Sequence, residues 1–255
     1  LNLRLDRNAI DYTGTTDSAD RVGFDISQWL TGGKLALNRQ LGAGQTLFAA
    51  VSRGYRAGGV NQHPRLAAQN RPYDPEYLLN FEVGYRATGP KATTSLTLFH
   101  AMRDDQQVSL SSQQNPGDPN SFFFFTANAS TGRSSGIELE QSYLLLPQLR
   151  LSGALGLLST HVDAYTFETA AGTSAILGDR ATAHAPSYTA QLAADYAAPN
   201  GLFARLEITA SDAFFHSDSH DQKSDAYQLF HGRLGYKRGP LTIALWGRNL
   251  LDERY

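Results

Sequence analysis

The chain has 255 residues, a formal net charge of −2, 18% charged residues and no cysteine. Charge content is below the quarter typical of soluble domains, and no apolar run reaches the roughly 18 residues that a membrane helix needs, so a helical membrane protein is excluded. The absence of basic runs and of cysteine argues against nucleic-acid binding, zinc fingers, thiol enzymes and disulfide scaffolds.

The chain opens on Leu1-Asn2-Leu3-Arg4-Leu5, an alternation that belongs inside a strand, with neither an initiating Met nor a signal peptide; the expectation is a start in mid-structure. Period-two patterning then predicts eleven strands, near 1–10, 33–41, 46–56, 76–87, 92–107, 133–146, 149–162, 187–198, 201–214, 224–238 and 241–250. In the fourth, Tyr77, Leu79, Phe81, Val83 and Tyr85 make an apolar face opposite Asn80, Glu82, Gly84 and Arg86. In the sixth, Ile137, Leu139 and Tyr143 oppose Glu138, Glu140 and Ser142.

Connections alternate in length. Gly- and Pro-rich short turns fall at 42–45, 88–91, 146–148, 198–201 and 238–240, and long polar stretches at 11–32, 57–75, 109–131, 163–186 and 215–223. All tight turns therefore lie at one end of the sheet and all long loops at the other, the arrangement of outer-membrane barrels. Tyr85, Tyr143, Tyr196 and Tyr236 sit on apolar faces just before short turns, where an aromatic girdle meets headgroups, and Arg39 holds that place in the first such hairpin. An odd strand count is expected of a piece of a larger barrel, since single-chain bacterial barrels have even numbers.

Several segments resemble one family. Ser52-Arg53-Gly54-Tyr55-Arg56-Ala57-Gly58-Gly59-Val60-Asn61 is similar to a strand end common in TonB-dependent receptors. Tyr73-Asp74-Pro75-Glu76 with Asn80 to Arg86 resembles the family's next block, with Phe99 and Gln106 at its aromatic and glutamine positions. Asn128-Ala129 with Gly136 to Glu140, Ala185-Pro186-Ser187-Tyr188-Thr189, and Trp246 to Tyr255 with its Asn249-Leu250-Leu251-Asp252 complete the series in the same order.

The resemblance implies an all-β, antiparallel transmembrane β-barrel of 22 strands, of which residues 1–255 supply about eleven, lacking the plug and the last strand. It implies outer-membrane lipid, an N-terminal plug domain of the same full-length chain and the TonB energy-transducing complex as partners, in a Gram-negative outer membrane. The implied activity is import of a scarce nutrient, ferric siderophore foremost, without a cofactor. Passive channel and soluble β-sandwich binding module are the rival readings.

Candidate ligand contacts in the outer loops are Arg56, His63, Arg65, His184, His216 and His220. Glu82, Glu138 and Glu140 are expected to face the lumen and plug. Gly54, Gly58 and Gly59 are read as positive-φ positions where the chain leaves its strand. The His216-Ser217-Asp218-Ser219-His220-Asp221 run is read as a hydrophilic loop rather than a metal centre, and no nucleophile–base pair marks an enzyme.

Overall fold

The computed structural model describes residues 1–113, 117–118, 120–129, 131–168, 174–218 and 220–254. Eleven long strands run as β1 (Asn2–Thr15), β2 (Arg21–Gly42), β3 (Gln45–Arg56), β4 (Glu76–Thr88), β5 (Ala92–Asp104), β6 (Thr131–Leu146), β7 (Leu149–Val162), β8 (Tyr188–Ala197), β9 (Leu202–Ser211), β10 (Tyr227–Arg238) and β11 (Leu241–Gly247). Each pairs antiparallel with the next in one eleven-stranded sheet, with β1 and β11 at its edges. Among the described residues the only other sheets are three short two-stranded ones, so the second layer that a β-sandwich requires is absent. Among the described residues no helix is long and apolar enough to cross a membrane.

The expected turns all appear, and three of them need glycine: Gly44, Gly201 and Gly239 have φ of +72°, +96° and +58°. Residue pairing puts Leu35, Val51, Phe81, Leu98, Ile137, Leu157, Leu206 and Leu245 on one face. Among the described residues nothing covers that face: Leu245 is 80% exposed and Leu206 66%. Tyr85, Tyr143, Tyr196 and Tyr236 share it at the turn end, and Arg39 lies there opposite Leu47. Leu149 to Leu157 spans eight rises of about 3.4 Å, which at a tilt near 40° covers roughly 21 Å, close to the ~25 Å apolar band of a bilayer-spanning barrel.

The first hairpin corrects the sequence reading. Residues 11–32 are not a loop; β1 and β2 continue as a paired ladder to Thr15 and Arg21, closed by Thr16–Asp20. Patterning inverts along this ladder. Below Trp29 the outward residues are apolar (Leu3, Leu5, Leu35); above it they are Ser27, Asp25, Asp11 and Thr13, while Ile10, Tyr12, Phe24 and Ile26 turn inward, Tyr12 stacking on Phe24 at 6.3 Å. The apolar residues thus change face along the ladder, outward below Trp29 and inward above it.

Other ends shift as well. The fifth predicted strand stops at Asp104, the ninth at Ser211 and the last at Gly247, and β10 starts only at Tyr227. The stretch 109–131 holds a separate hairpin, Gln107–Gln113 with Phe122–Asn128, and 163–186 holds Tyr165–Glu168 with Ser174–Leu177. The buried apolar cluster lies here rather than under the sheet: Leu66, Val108, Leu110, Phe123, Phe125, Ala129 and Val162 pack together, so two connections and the last residue of β7 share one small core.

Gly54, Gly58 and Gly59 have no positive φ, contrary to expectation. Space explains two of them. A Cβ on Gly58 would lie 2.5 Å from the Tyr73 carbonyl oxygen, and one on Gly59 would overlap the Tyr73 hydroxyl, whereas Gly54 has nothing within 4 Å.

Candidate functional site

Long-range bonds between side chains and backbone tie the strand ends to the loops above them. Glu76, buried at the start of β4, accepts from Arg103 Nη1 (3.0 Å) and from the Gln107 backbone N–H (2.9 Å). Gln107 Nε2 in turn donates to the Ala57 and Asp74 carbonyls (2.9 and 3.0 Å). Asn128 Oδ1 accepts from the Asp74 N–H (2.8 Å), and its Nδ2 donates to the Asp74 and Asp105 carbonyls (3.0 and 2.8 Å). Asn61 bonds Thr126 at both N–H and carbonyl (2.8 and 2.7 Å) and also reaches the Arg71 carbonyl at 3.1 Å. Carboxamides suit this task because each carries a donor and an acceptor for backbone groups that a ladder leaves unpaired.

Sequence reading marked Asn61, Asp74, Glu76 and Asn128 as parts of separate segments; the fold makes them one knot. Arg71, which the sequence did not single out, is fully buried and donates to the Leu66, Pro64 and Thr15 carbonyls (3.1, 3.0 and 3.0 Å), fastening residues 57–75 to the top of β1. Burial, then the carboxylates of Asp74 and Asp104, raises the Asp105 carboxyl above its ordinary value.

Four of the six candidate ligand residues separate into two groups. His63 stacks on Phe123 with ring centres 4.3 Å apart, and Arg65 pairs with Asp17 at 3.3 Å, both on the 57–75 side. His184 and His216 flank Phe214 at 5.6 and 5.7 Å on the other side. Arg56 and His220 are exposed. Of the His/Asp run, Ser219 lies outside the described residues, as does Tyr255 of the C-terminal segment. Among the described residues no three His, Asp or Glu side chains converge as a metal site.

Beside His216, Phe215 is held between Arg180 (4.2 Å) and Lys223 (4.3 Å). Arg180 also pairs with Asp221 at 3.4 Å and donates to the Ser217 carbonyl at 2.8 Å, joining the last two long loops. Neither Arg180 nor Phe215 carried a sequence signal, since their pairing depends on two loops meeting. Burial first, then Asp218, pushes the Tyr165 hydroxyl up to about 12, against the opposing effect of Arg180.

Register places Glu82, Glu138 and Glu140 on the inward face of the sheet. Glu82 accepts from Asn80 Nδ2 at 2.8 Å, while exposed Glu138 and Glu140 line a concavity of about 730 Å³ with Arg86, Gln191 and Arg205. Farther along, Arg205 is shared by Asp195 (2.7 Å) and Glu207 (2.5 Å), with His231, Arg233 and Trp246 on neighbouring strands. Three inward phenylalanines each cover a cross-strand glycine: Phe48 over Gly84, Phe99 over Gly136 and Phe203 over Gly235. A Cβ on Gly136 would also lie 2.6 Å from the Leu157 carbonyl oxygen, so the wall excludes side chains at these points. The ring supplies the packing that glycine lacks.

Comparison with known proteins agrees with this architecture. The chain is similar in fold to the ferric yersiniabactin uptake receptor FyuA from Yersinia pestis, at 18% identity and a TM-score of 0.76, over 98% of this chain and 37% of that one. The siderophore receptor PiuA from Acinetobacter baumannii matches at 16% identity and a TM-score of 0.77, over 99% and 36% respectively. The copper transporter OprC matches at 16% identity and a TM-score of 0.70, over 99% and 40%. The chain thus spans about two fifths or less of these proteins' lengths. The sequence-family model described as "TonB dependent receptor-like, beta-barrel" matches residues 1–250, and the chain belongs to that family, which is one of receptors and not of enzymes.

Proposed function

We propose that residues 1–255 form part of the barrel domain of a TonB-dependent receptor in a Gram-negative outer membrane, importing a scarce nutrient, with ferric siderophore as the leading cargo. The observation that carries this reading is the division of one sheet into an unpartnered apolar outer face with a tyrosine girdle and an inner face carrying Glu82, Glu138, Glu140, Arg205 and Arg233. In this reading the outer face meets lipid, and the inner glutamates meet an N-terminal plug of the same full-length chain. Of the three structural neighbours described above, one is named for ferric yersiniabactin and one for a siderophore, and this favours an iron chelate over other cargo.

Capture takes place at the loop end. His63, on Phe123, and the His184–Phe214–His216 group, with Arg56, Arg65 and His220 around them, supply rings and cations suited to a bulky anionic chelate. Import then couples binding to plug displacement driven by the TonB complex, which requires the cargo to bind the two plug states with different affinity. A strain deleted for the full-length gene, grown under iron limitation with ferric siderophores supplied one at a time, tests the cargo. Failure to grow on one chelate, restored by the wild-type gene, is the expected result; undiminished growth on all of them rejects iron import.

A further inference from the structure

The inner wall divides by charge. Its β4–β6 part carries Glu82, Glu138 and Glu140; at β9–β11, Arg205, Arg233 and Arg248 surround a concavity of about 600 Å³ that Glu207, His231 and Trp246 also line. Register fixes this second cluster. Asp195, Arg205, Arg233 and Trp246 follow one another across β8 to β11, and Glu207 and His231 face each other in the next row toward the loops. Arg233 stands five rises of about 3.4 Å from the turn at Arg238, which at a tilt near 40° sets it roughly 13 Å above the turns, midway through a ~25 Å band.

The carboxylates of this patch are already engaged. Asp195 and Glu207 both bind Arg205 (2.7 and 2.5 Å), which leaves Arg233 and Arg248 without a carboxylate or hydrogen-bond partner among the described residues. Each guanidinium instead lies near a ring, Arg233 at 5.3 Å from the centre of Phe203 and Arg248 at 5.7 Å from that of Trp246. Trp246 itself is 66% exposed.

We infer that this patch docks an acidic, partly apolar segment of the N-terminal plug, whose carboxylates meet Arg233 and Arg248 and whose apolar side chains cover Trp246. The occupant follows from the two chemistries that the patch combines. Water or a small anion satisfies the guanidiniums but leaves the indole uncovered, captured cargo sits farther up at the loops, and a second copy does not fit inside a barrel. A folded surface with Asp or Glu beside apolar groups meets both needs, and Trp and Arg are the residues that dominate such contacts. With the β4–β6 wall acidic, the plug is thereby keyed to one rotational orientation, its acidic side toward β9–β11. The inference rests on the reading of the interior as plugged.

The test uses the full-length receptor in micelles. In the single variants Arg233→Lys and Arg248→Lys the charge stays and a primary amine replaces the guanidinium. A water-soluble carbodiimide then joins that amine to a carboxylate in direct contact, and peptide mass spectrometry identifies the partner. An Asp or Glu of the N-terminal domain is the expected partner; absence of any link to that domain, including links confined to Asp195, Glu207 or other barrel carboxylates, overturns the site. Independently, Arg233→Gln/Arg248→Gln should speed hydrogen exchange in the N-terminal domain roughly tenfold, about threefold for each screened arginine, while Arg21→Gln, on the outward side of the β1–β2 hairpin, leaves it unchanged. Equal exchange in the double variant and the wild type overturns the docking site alone. A full-length chain without a protected N-terminal domain overturns the plugged reading together with the site.

Discussion

Replacing Glu76 by alanine cuts the knot between strands and loops at its most buried point. The change leaves the Gln107 N–H buried without an acceptor, which costs about 1–3 kcal/mol. It also removes the pair with Arg103, whose side chain is 42% exposed, so solvent screening limits that loss to about 1 kcal/mol or less. Glu76→Gln keeps an acceptor for Gln107 and forfeits only the charge. Alanine is therefore predicted to destabilise the junction by roughly 1–4 kcal/mol and glutamine by about 1 kcal/mol or less. Hydrogen exchange on the full-length receptor in micelles reads this directly. The Gln107 amide should lose a factor of about 5 to 1,000 in protection in the alanine variant, while amides in the middle of β7 stay unchanged. Equal exchange at Gln107 in the two variants would refute the claim that the carboxylate is held for its backbone contact.

Gly136→Ala, which forces a Cβ against Phe99 and the Leu157 carbonyl, should cost about 1–3 kcal/mol in denaturant unfolding, whereas Gly54→Ala, in open space, should be neutral or stabilising by up to about 1 kcal/mol. Leu155→Arg on the outer face should lower assembly into membranes by about 2–4 kcal/mol, but Ser159→Arg, four residues nearer the loops on that face, by only about 0–1 kcal/mol. A flat dependence on depth contradicts a bilayer around this band. Raising the pH should loosen the Tyr165–Leu177 hairpin: its hydroxyl holds a proton more tightly folded than unfolded, so that contribution is complete below about pH 10 and disappears as pH climbs toward 12. Tyr165→Phe should abolish this pH dependence without loss at neutral pH, because the buried hydroxyl has no hydrogen-bond partner among the described residues; proteolysis of the loop across that range checks both points.

The sheet was legible because one rule holds over the turn-side part of the strands: alternate residues on one face are apolar, and tyrosines mark its end. The rule failed nearer the loops. Above Trp29 the inward residues are the apolar ones, and a reading tuned to a single phase takes Asp11, Thr13, Asp25 and Ser27 for loop. Phe122 to Phe125 lay inside an expected loop, and only the fold shows that Phe123 and Phe125 are buried while Phe124 is 73% exposed. Glu82, Glu138 and Glu140 lie on the face of the sheet opposite the leucines. The rim knot was visible only as scattered segments, since bonds such as Asn61 to Thr126 span 65 residues and leave no local period. Glycines 58 and 59 were recognised as constrained for the wrong reason, because a neighbour's approach from residue 73 cannot be read from φ preferences.

Leu66, Leu110, Phe125 and Val162 come from two different connections and the end of β7 yet fill a single small core. Evolution therefore cannot tune these connections independently: a length change or a bulkier side chain in one demands compensation in the others, and the positions should co-vary among relatives. Chimeras that transplant only the 57–75 segment from another receptor ought to misassemble, and those that carry it together with 105–131 ought to be tolerated. These segments, on this architecture, are inherited as a block.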